Sequence, residues 1–551
     1  MLTPLQLCVM VPIGDYAMLT YYILAPLLIA VFLFIAASSN MARILAIISQ
    51  SLLLAASVYL VIITREPEIF DFIGNYVGWG GISLRADSTS ADFVMLTAFI
   101  FLAVSIYTYS TNQDKRLYWF LMFVLEAALI GFFLSGDLFN IFVLVEVSTL
   151  AVVLLTMFDR KKRNMYHGMV FLMANVVAVQ FYLVGLLFIY RQAGVMDILR
   201  VTEILAGSDP ADLVLPYALI MTSIAFKCAL IPFFSWSPKV RLYPGAPTGV
   251  AAILSGLQIK SALYLFLQFQ AIFRPIAAED FFLIVGIVAG LFGAFMAICQ
   301  SDIRMILAYH TISQIGLIIV GVSLGNPYSH IGGLYHIFGH AIFKTALFLS
   351  TGIIIPAYGT ADIYKIRGVF KRMPIAGAAT AFAVLGITGA PFFIGSVSKY
   401  FITYNVSPLI TVVTALISLG TIISFVKFSS IFFGDSNLVG SAPKADKCRT
   451  IPVAVLGIFC LAGGIFGTRA IYVLFLHEVT VVLSSYAQKS LIFLVSAGAG
   501  YLIYNYTVKK SRALKRIGGM NLGFKTVCVG FGVFFAAILA WIWALSGLYV
   551  V

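Results

Sequence analysis

Phe226-Lys227-Cys228-Ala229-Leu230-Ile231-Pro232 sets a lysine and a proline inside one long apolar run. Proline removes a helical donor and clashes with the carbonyl one turn back, so a helix entering this stretch must break. At membrane depth a break is tolerated only against protein or a wet cavity. Further prolines follow at Pro238, Pro244 and Pro247. A second interruption, Gly386-Ile387-Thr388-Gly389-Ala390-Pro391, lies five spans further on, and each break has a lysine nearby, Lys227 or Lys399. A matched pair of interrupted spans is the sequence sign of an inverted repeat. Five spans per unit is an odd number, so adjacent units have opposite topology.

The composition agrees with a chain that lives in lipid. Of 551 residues, 61% are hydrophobic and 10% charged, with a mean hydropathy of +1.03. A soluble domain would be roughly 45–50% apolar and about 25% charged. The net charge of +13 comes from 35 Lys and Arg against 22 Asp and Glu. No basic stretch is interleaved with aromatics, so the excess reads as loop charge that sets orientation and not as a nucleic-acid surface. The cysteines Cys8, Cys228, Cys299, Cys448, Cys460 and Cys528 contain no C-x-x-C pair. Iron–sulfur and structural zinc sites are therefore not expected. The N-terminus lacks a basic segment ahead of its first apolar run, so no cleaved signal peptide is expected.

A span needs about 20 mostly apolar residues. Sixteen are read, near 19–38, 42–63, 91–109, 117–135, 138–158, 165–190, 212–234, 247–272, 277–299, 304–323, 332–355, 374–402, 409–434, 450–466, 489–507 and 524–550. The fold class is thus all-α, a polytopic membrane bundle of about 14–16 helices with two inverted five-helix repeats and broken seventh and twelfth helices. The organisation is 1–116 for the first three helices, 117–272 and 273–434 for the repeats, and 435–551 for the C-terminal helices. Basic residues crowd the loops after odd-numbered spans, among them Arg160-Lys161-Lys162-Arg163, Lys239, Arg241, Lys371, Arg372 and Lys444. Those loops are cytoplasmic by the positive-inside rule. The segment 469–486 must then lie at the interface without spanning, so that the basic run Lys509 to Arg516 also falls inside. The chain is a multi-pass protein of the cytoplasmic membrane.

Charges inside such spans cost at least roughly 2.5–3.5 kcal/mol each at the bilayer centre and mark ion or proton paths. They are Glu146, Lys227, Lys260, Lys344 and Lys399. His336, His340 and Lys344 stand at i, i+4 and i+8 of one run, which puts them on one helical stripe. Histidine takes and passes a proton near neutrality, so the stripe reads as a relay, with core histidines or a zinc site as weaker readings. Glu146 has no basic neighbour on its own helix, and Lys227 is its candidate partner. Lys260 sits mid-span, beyond easy snorkelling. The patch Tyr309-His310-Thr311-Ile312-Ser313-Gln314 either holds water or caps a helix start.

Several of these stretches are similar to one known group. Ser135-Gly136-Asp137-Leu138-Phe139-Asn140-Ile141-Phe142 followed by Glu146, Asp302 through Gly316, His336 through Gly352, and Gly389 through Lys399 resemble the antiporter-like subunits of Mrp cation/proton antiporters. The wider group includes proton-pumping membrane subunits of respiratory complex I and of membrane-bound hydrogenases. The resemblance implies fourteen core helices and work inside a multisubunit complex. It implies a first-half pair Glu146–Lys227, a link through Lys260 and the histidines, and Lys399 in the second half-channel. Leu254 stands where complex I usually has a histidine, and Trp236-Ser237-Pro238-Lys239 replaces its Trp-Leu-Pro-Asp, which favours the Mrp or hydrogenase branch.

The expected function is a proton-translocating subunit of a multisubunit Na⁺/H⁺ antiporter. Its relay comprises Glu146, Lys227, Lys260, His336, His340, Lys344 and Lys399. The alternative is a pumping subunit of a redox-driven complex, itself non-catalytic. No cofactor or metal is expected in this chain. Its partners are other membrane subunits, protons, Na⁺ and lipid, with no nucleic acid. A passive scaffold would not need five buried charges on separate helices. A voltage sensor is disfavoured because no helix carries arginine at every third position.

Overall fold

The computed structural model describes residues 18–36, 39–73, 81–110, 116–233, 245–276, 278–435, 446–519 and 524–546. Pro238, Pro244, Trp236-Ser237-Pro238-Lys239, Arg241, Lys444 and Cys8 lie outside them.

The chain is helical almost throughout. In order the helices are α1 Met18–Ile35, α2 Ser39–Ile63, α3 Ser88–Thr108, α4 Arg116–Leu134, α5 Leu138–Thr156, α6 Lys162–Ala193, α7 Ile198–Ala206 and α8 Pro210–Lys227. Then follow α9 Thr248–Ile272, α10 Glu279–Cys299, α11 Ile303–Val322, α12 Pro327–Tyr358, α13 Pro374–Thr388, α14 Ile394–Ile402 and α15 Pro408–Ser429. The C-terminal set is α16 Lys447–Ile465, α17 Gly467–Phe475, α18 Leu483–Val508, α19 Arg512–Gly518 and α20 Phe524–Ser546. Among the described residues, fourteen helices are long and apolar enough to cross a bilayer. The seventh expected span is α8, and the twelfth is α13 with α14. Among the described residues the exception to the all-α expectation is a hairpin of β1 Ile69–Phe72 and β2 Ser83–Ala86, antiparallel with Ile69 opposite Ala86.

Both expected breaks are present and are built alike. After α8 the chain turns through Ala229 at φ +56°, and Leu230 N–H donates to Ala225 O at 2.9 Å. After α13 it turns through Gly389 at φ +82°, and Ala390 N–H donates to Leu385 O at 3.0 Å. A left-handed residue at this position ends the helix and satisfies one of its last carbonyls. Two loops also correspond. Asp137 pairs with Asp197 and Asp302 with Asp362 in isolated antiparallel bridges, the second pair standing 165 residues after the first at both positions. The long helices α6 and α12 are each 32 residues and end on left-handed glycines, Gly194 and Gly359.

The segment expected at the interface contains α17, only nine residues long. At 1.5 Å per residue it reaches about 14 Å, half of a hydrocarbon core. It is fastened to the bundle by Arg65, which donates to Leu474 O at 3.1 Å and pairs with the fully buried Asp92 at 3.4 Å. The patch Tyr309 to Gln314 does not cap a helix start: Asp302 caps α11, accepting from Arg304 N–H and Met305 N–H, and the patch lies buried in the helix interior.

In lipid, helices associate by close packing because hydrocarbon gives no hydrophobic drive between them. Here α10 and α11 cross on glycines. A Cβ on Gly316 would stand 2.4 Å from the Gly290 nitrogen and 2.5 Å from Gly286 O. Backbone cannot yield at that distance, so Gly316→Val should destabilise the subunit by about 3 kcal/mol. A melting temperature of the detergent-extracted complex equal to wild type would refute this.

Candidate functional site

The interior of the bundle carries a row of polar side chains drawn from helices far apart in sequence. It begins on α5, where Glu146 is partly exposed. Asn175 of α6 donates its amide N–H to Glu146 Oε1 at 2.9 Å. The same amide accepts from Lys227 Nζ at 2.8 Å. The sequence pairs Glu146 with Lys227; the structure joins them through Asn175. Lys227 is the last residue of α8 before the break, a position in the last turn where a cation is favoured by the helix dipole.

Two residues beyond Glu146, Ser148 accepts from Gln258 of α9 at 3.2 Å. Here α9 has a π-turn, Leu254–Gln258, of the kind that recurs at functional sites. Lys260 follows it, with Nζ 2.6 Å from Ser255 O and 2.6 Å from His340 Nδ1. Lys260, His336, His340 and Lys344 are all fully buried. If the Lys260 ammonium donates to Nδ1, the imidazole proton must be on Nε2. Among the described residues that nitrogen has no hydrogen-bond partner.

The stripe on α12 faces three different neighbours. Lys344 donates to Leu307 O of α11. His340 meets Lys260. His336 contacts Gln314 Oε1 of α11 through Nε2 at 3.0 Å and Ser398 Oγ of α14 through Nδ1 at 2.8 Å. Next to Ser398, Lys399 reaches back over the second break, donating to Thr388 O at 3.0 Å and Ile387 O at 3.2 Å. Lys399 is partly exposed, like Glu146 at the other end. The row is therefore fully buried in its middle and partly exposed at its ends.

All seven residues read from the sequence belong to this row. Its neutral links, Asn175, Gln258, Ser148, Gln314 and Ser398, were not singled out as links, because uncharged polar residues are common in membrane helices and carry little signal one at a time. Lys427 of α15 was missed although the same rule, a lysine in an apolar run, marks it. It is fully buried and donates to Ala297 O, Ile298 O and Gln300 O at 2.6–3.0 Å. Glu126 of α4 was missed likewise; it is fully buried and accepts from Gln50 of α2.

Residues 135–424 match the family described as NADH:quinone oxidoreductase/Mrp antiporter, TM. The D-type subunit of the Na(+)/H(+) antiporter of Alkalihalophilus pseudofirmus is 29% identical over 427 residues, 75% of this chain and 86% of that protein. The N-type subunit of the NADH-quinone oxidoreductase of Desulforudis audaxviator is 28% identical over 352 residues, 62% of this chain and 70% of that protein. In fold, a chain of the Mrp complex from Dietzia superposes with a TM-score of 0.77 at 24% identity, covering 92% of this chain and 99% of its own. A chain of respiratory complex I from Thermus thermophilus gives 0.73 at 19% identity, covering 87% and 99%. With the polar row on a bundle of this shape, and a family match across more than half its length, the chain is an antiporter-like multi-pass subunit of the cell membrane and belongs to the NADH:quinone oxidoreductase/Mrp antiporter transmembrane family.

Proposed function

We propose that this chain is the proton-translocating, D-like member of a multisubunit Na⁺/H⁺ antiporter. The observation that carries this reading is the row of ionisable groups Glu146, Lys227, Lys260, His340, Lys344, His336 and Lys399, in which Asn175 joins Glu146 to Lys227, Lys260 meets His340, and His336 meets Gln314 and Ser398. Each lysine is held by acceptors that can accommodate an ammonium or an amine. A proton arriving beside one pair weakens it and frees its lysine to hand charge to the next. One charge crossing the membrane is worth about 2.3 kcal/mol per 100 mV, so each step needs only a small change in proton affinity. The partners are other membrane subunits, and Na⁺ is the exchanged ion, as the name of the Alkalihalophilus relative suggests.

The same reading takes 117–272 and 273–434 as inverted repeats between the N-terminal helices, 1–116, and the C-terminal region, 435–551. The matched breaks and the paired loops 165 residues apart support it. A redox-driven pump is the second reading, favoured by the 28% identity to a membrane subunit of an NADH-quinone oxidoreductase. Mass spectrometry of the complex extracted in mild detergent separates the two. Several small hydrophobic partners and no metalloprotein support the antiporter. Iron–sulfur or nickel subunits overturn it in favour of the pump.

A further inference from the structure

We propose that a second proton route leaves the row at His336 and runs between α11 and α15 to Lys427, through His310, Ser424 and bound water. This rests on the relay reading above and adds an exit besides the partly exposed ends of the row.

The path is laid out in fully buried polar groups. From His336, Gln314 continues to Thr421 of α15, its Nε2 donating to Thr421 Oγ1 at 3.4 Å. Thr421, Ser424 and Lys427 follow at intervals of three, so one face of α15 is polar, and all three are 0% exposed. His310 of α11 is also 0% exposed and stacks on Phe425 of α15 at 4.6 Å. Its ring lies within electrostatic reach of Lys344, Lys427 and Lys399. The far end is Lys427, whose three ammonium hydrogens match the carbonyls of Ala297, Ile298 and Gln300 at the end of α10. The next residue, Ser301, is exposed. Loop charge places this end of α10 on the cytoplasmic side.

A static reading explains Lys427 alone, as a cation on a helix C-terminus. It does not explain its neighbours. Among the described residues, both ring nitrogens of His310 and the Ser424 hydroxyl have no hydrogen-bond partner. Buried polar atoms in native proteins are paired, with protein or with ordered water. Three orphans along one seam between α11 and α15, bounded by Lys427 and Gln314, are the signature of a water file. The transfer balances simply. His310 takes a proton from the row on one nitrogen and releases one from the other to water, the water protonates the Lys427 amine, and the Lys427 ammonium gives its proton up at the cytoplasmic face.

The test uses the whole complex in proteoliposomes, with proton flux read by an enclosed pH dye and assembly read by gel filtration. Lys427→Arg keeps a cation on the three carbonyls but cannot release a proton. It and His310→Phe should each lower flux at least ~10-fold with the complex intact, the loss expected when a general acid–base group is removed. In a cysteine-free background, Ser424→Cys should react with the water-soluble reagent 2-aminoethyl methanethiosulfonate. Wild-type flux in Lys427→Arg or in His310→Phe, or an unlabelled Ser424→Cys in an active complex, would overturn the route. Lys399→Ala is the control: if it is dead while Lys427→Arg is fully active, only this route fails, whereas wild-type flux in Lys399→Ala removes the row and the route together.

Discussion

Lys399→Ala should abolish proton-coupled transport, by at least ~100-fold, while the subunit still assembles. Lys399 closes one end of the row, beside the Ser398 hydroxyl that contacts His336. It is also the only lysine of the row set on the second broken helix, where its ammonium spans the gap to Ile387 O and Thr388 O. Alanine removes the titrating group and leaves the turn at Gly389 intact, because that turn is made by backbone bonds to Leu385 O and Gly386 O. The two carbonyls that lose the ammonium sit beside a partly exposed side chain, so water can replace it. Folding should therefore survive. Flux in proteoliposomes, normalised to assembled complex, measures the effect. Transport at the wild-type rate would mean that protons do not use this end of the row.

Glu146→Gln should have a similar effect, for a different physical reason. The amide keeps the shape and still offers an oxygen to the Asn175 N–H, which now sits 2.9 Å from Glu146 Oε1. The packing of α5 on α6 is thus preserved. What is lost is the negative charge that balances Lys227 across Asn175. Without it the buried ammonium of Lys227 is costly, and the lysine is driven to its neutral form and cannot alternate. The expected loss is again ~100-fold or more in flux at unchanged assembly. Glu146→Asp restores charge but shortens the reach to Asn175, so it should recover part of the flux. Full activity in Glu146→Gln would reduce the Glu146–Asn175–Lys227 group to a structural network.

Much of this molecule is legible without coordinates. A helix in lipid must satisfy its own backbone, so its length and apolar content are written directly in the sequence. The breaks after Lys227 and around Gly389 are equally direct, because proline and glycine act on the local backbone whatever surrounds them. The charged members of the row stand out for the same reason: an ion is so costly in hydrocarbon that Glu146, Lys260 or Lys344 in an apolar run demands an explanation. Lys427 and Glu126 obey that rule too and could have been found by applying it without exception.

What the sequence determined was the set of expensive residues and the helices that carry them, since both depend on costs paid residue by residue. What only the tertiary structure decided was their order and their links. Asn175 between Glu146 and Lys227, the three separate partners of the α12 stripe, and the orphaned ring of His310 all depend on how helices distant in sequence are turned toward one another. That rotation is set by close contacts such as Gly316 against Gly290, which are matters of ångströms between backbones and leave no mark on charge or hydropathy.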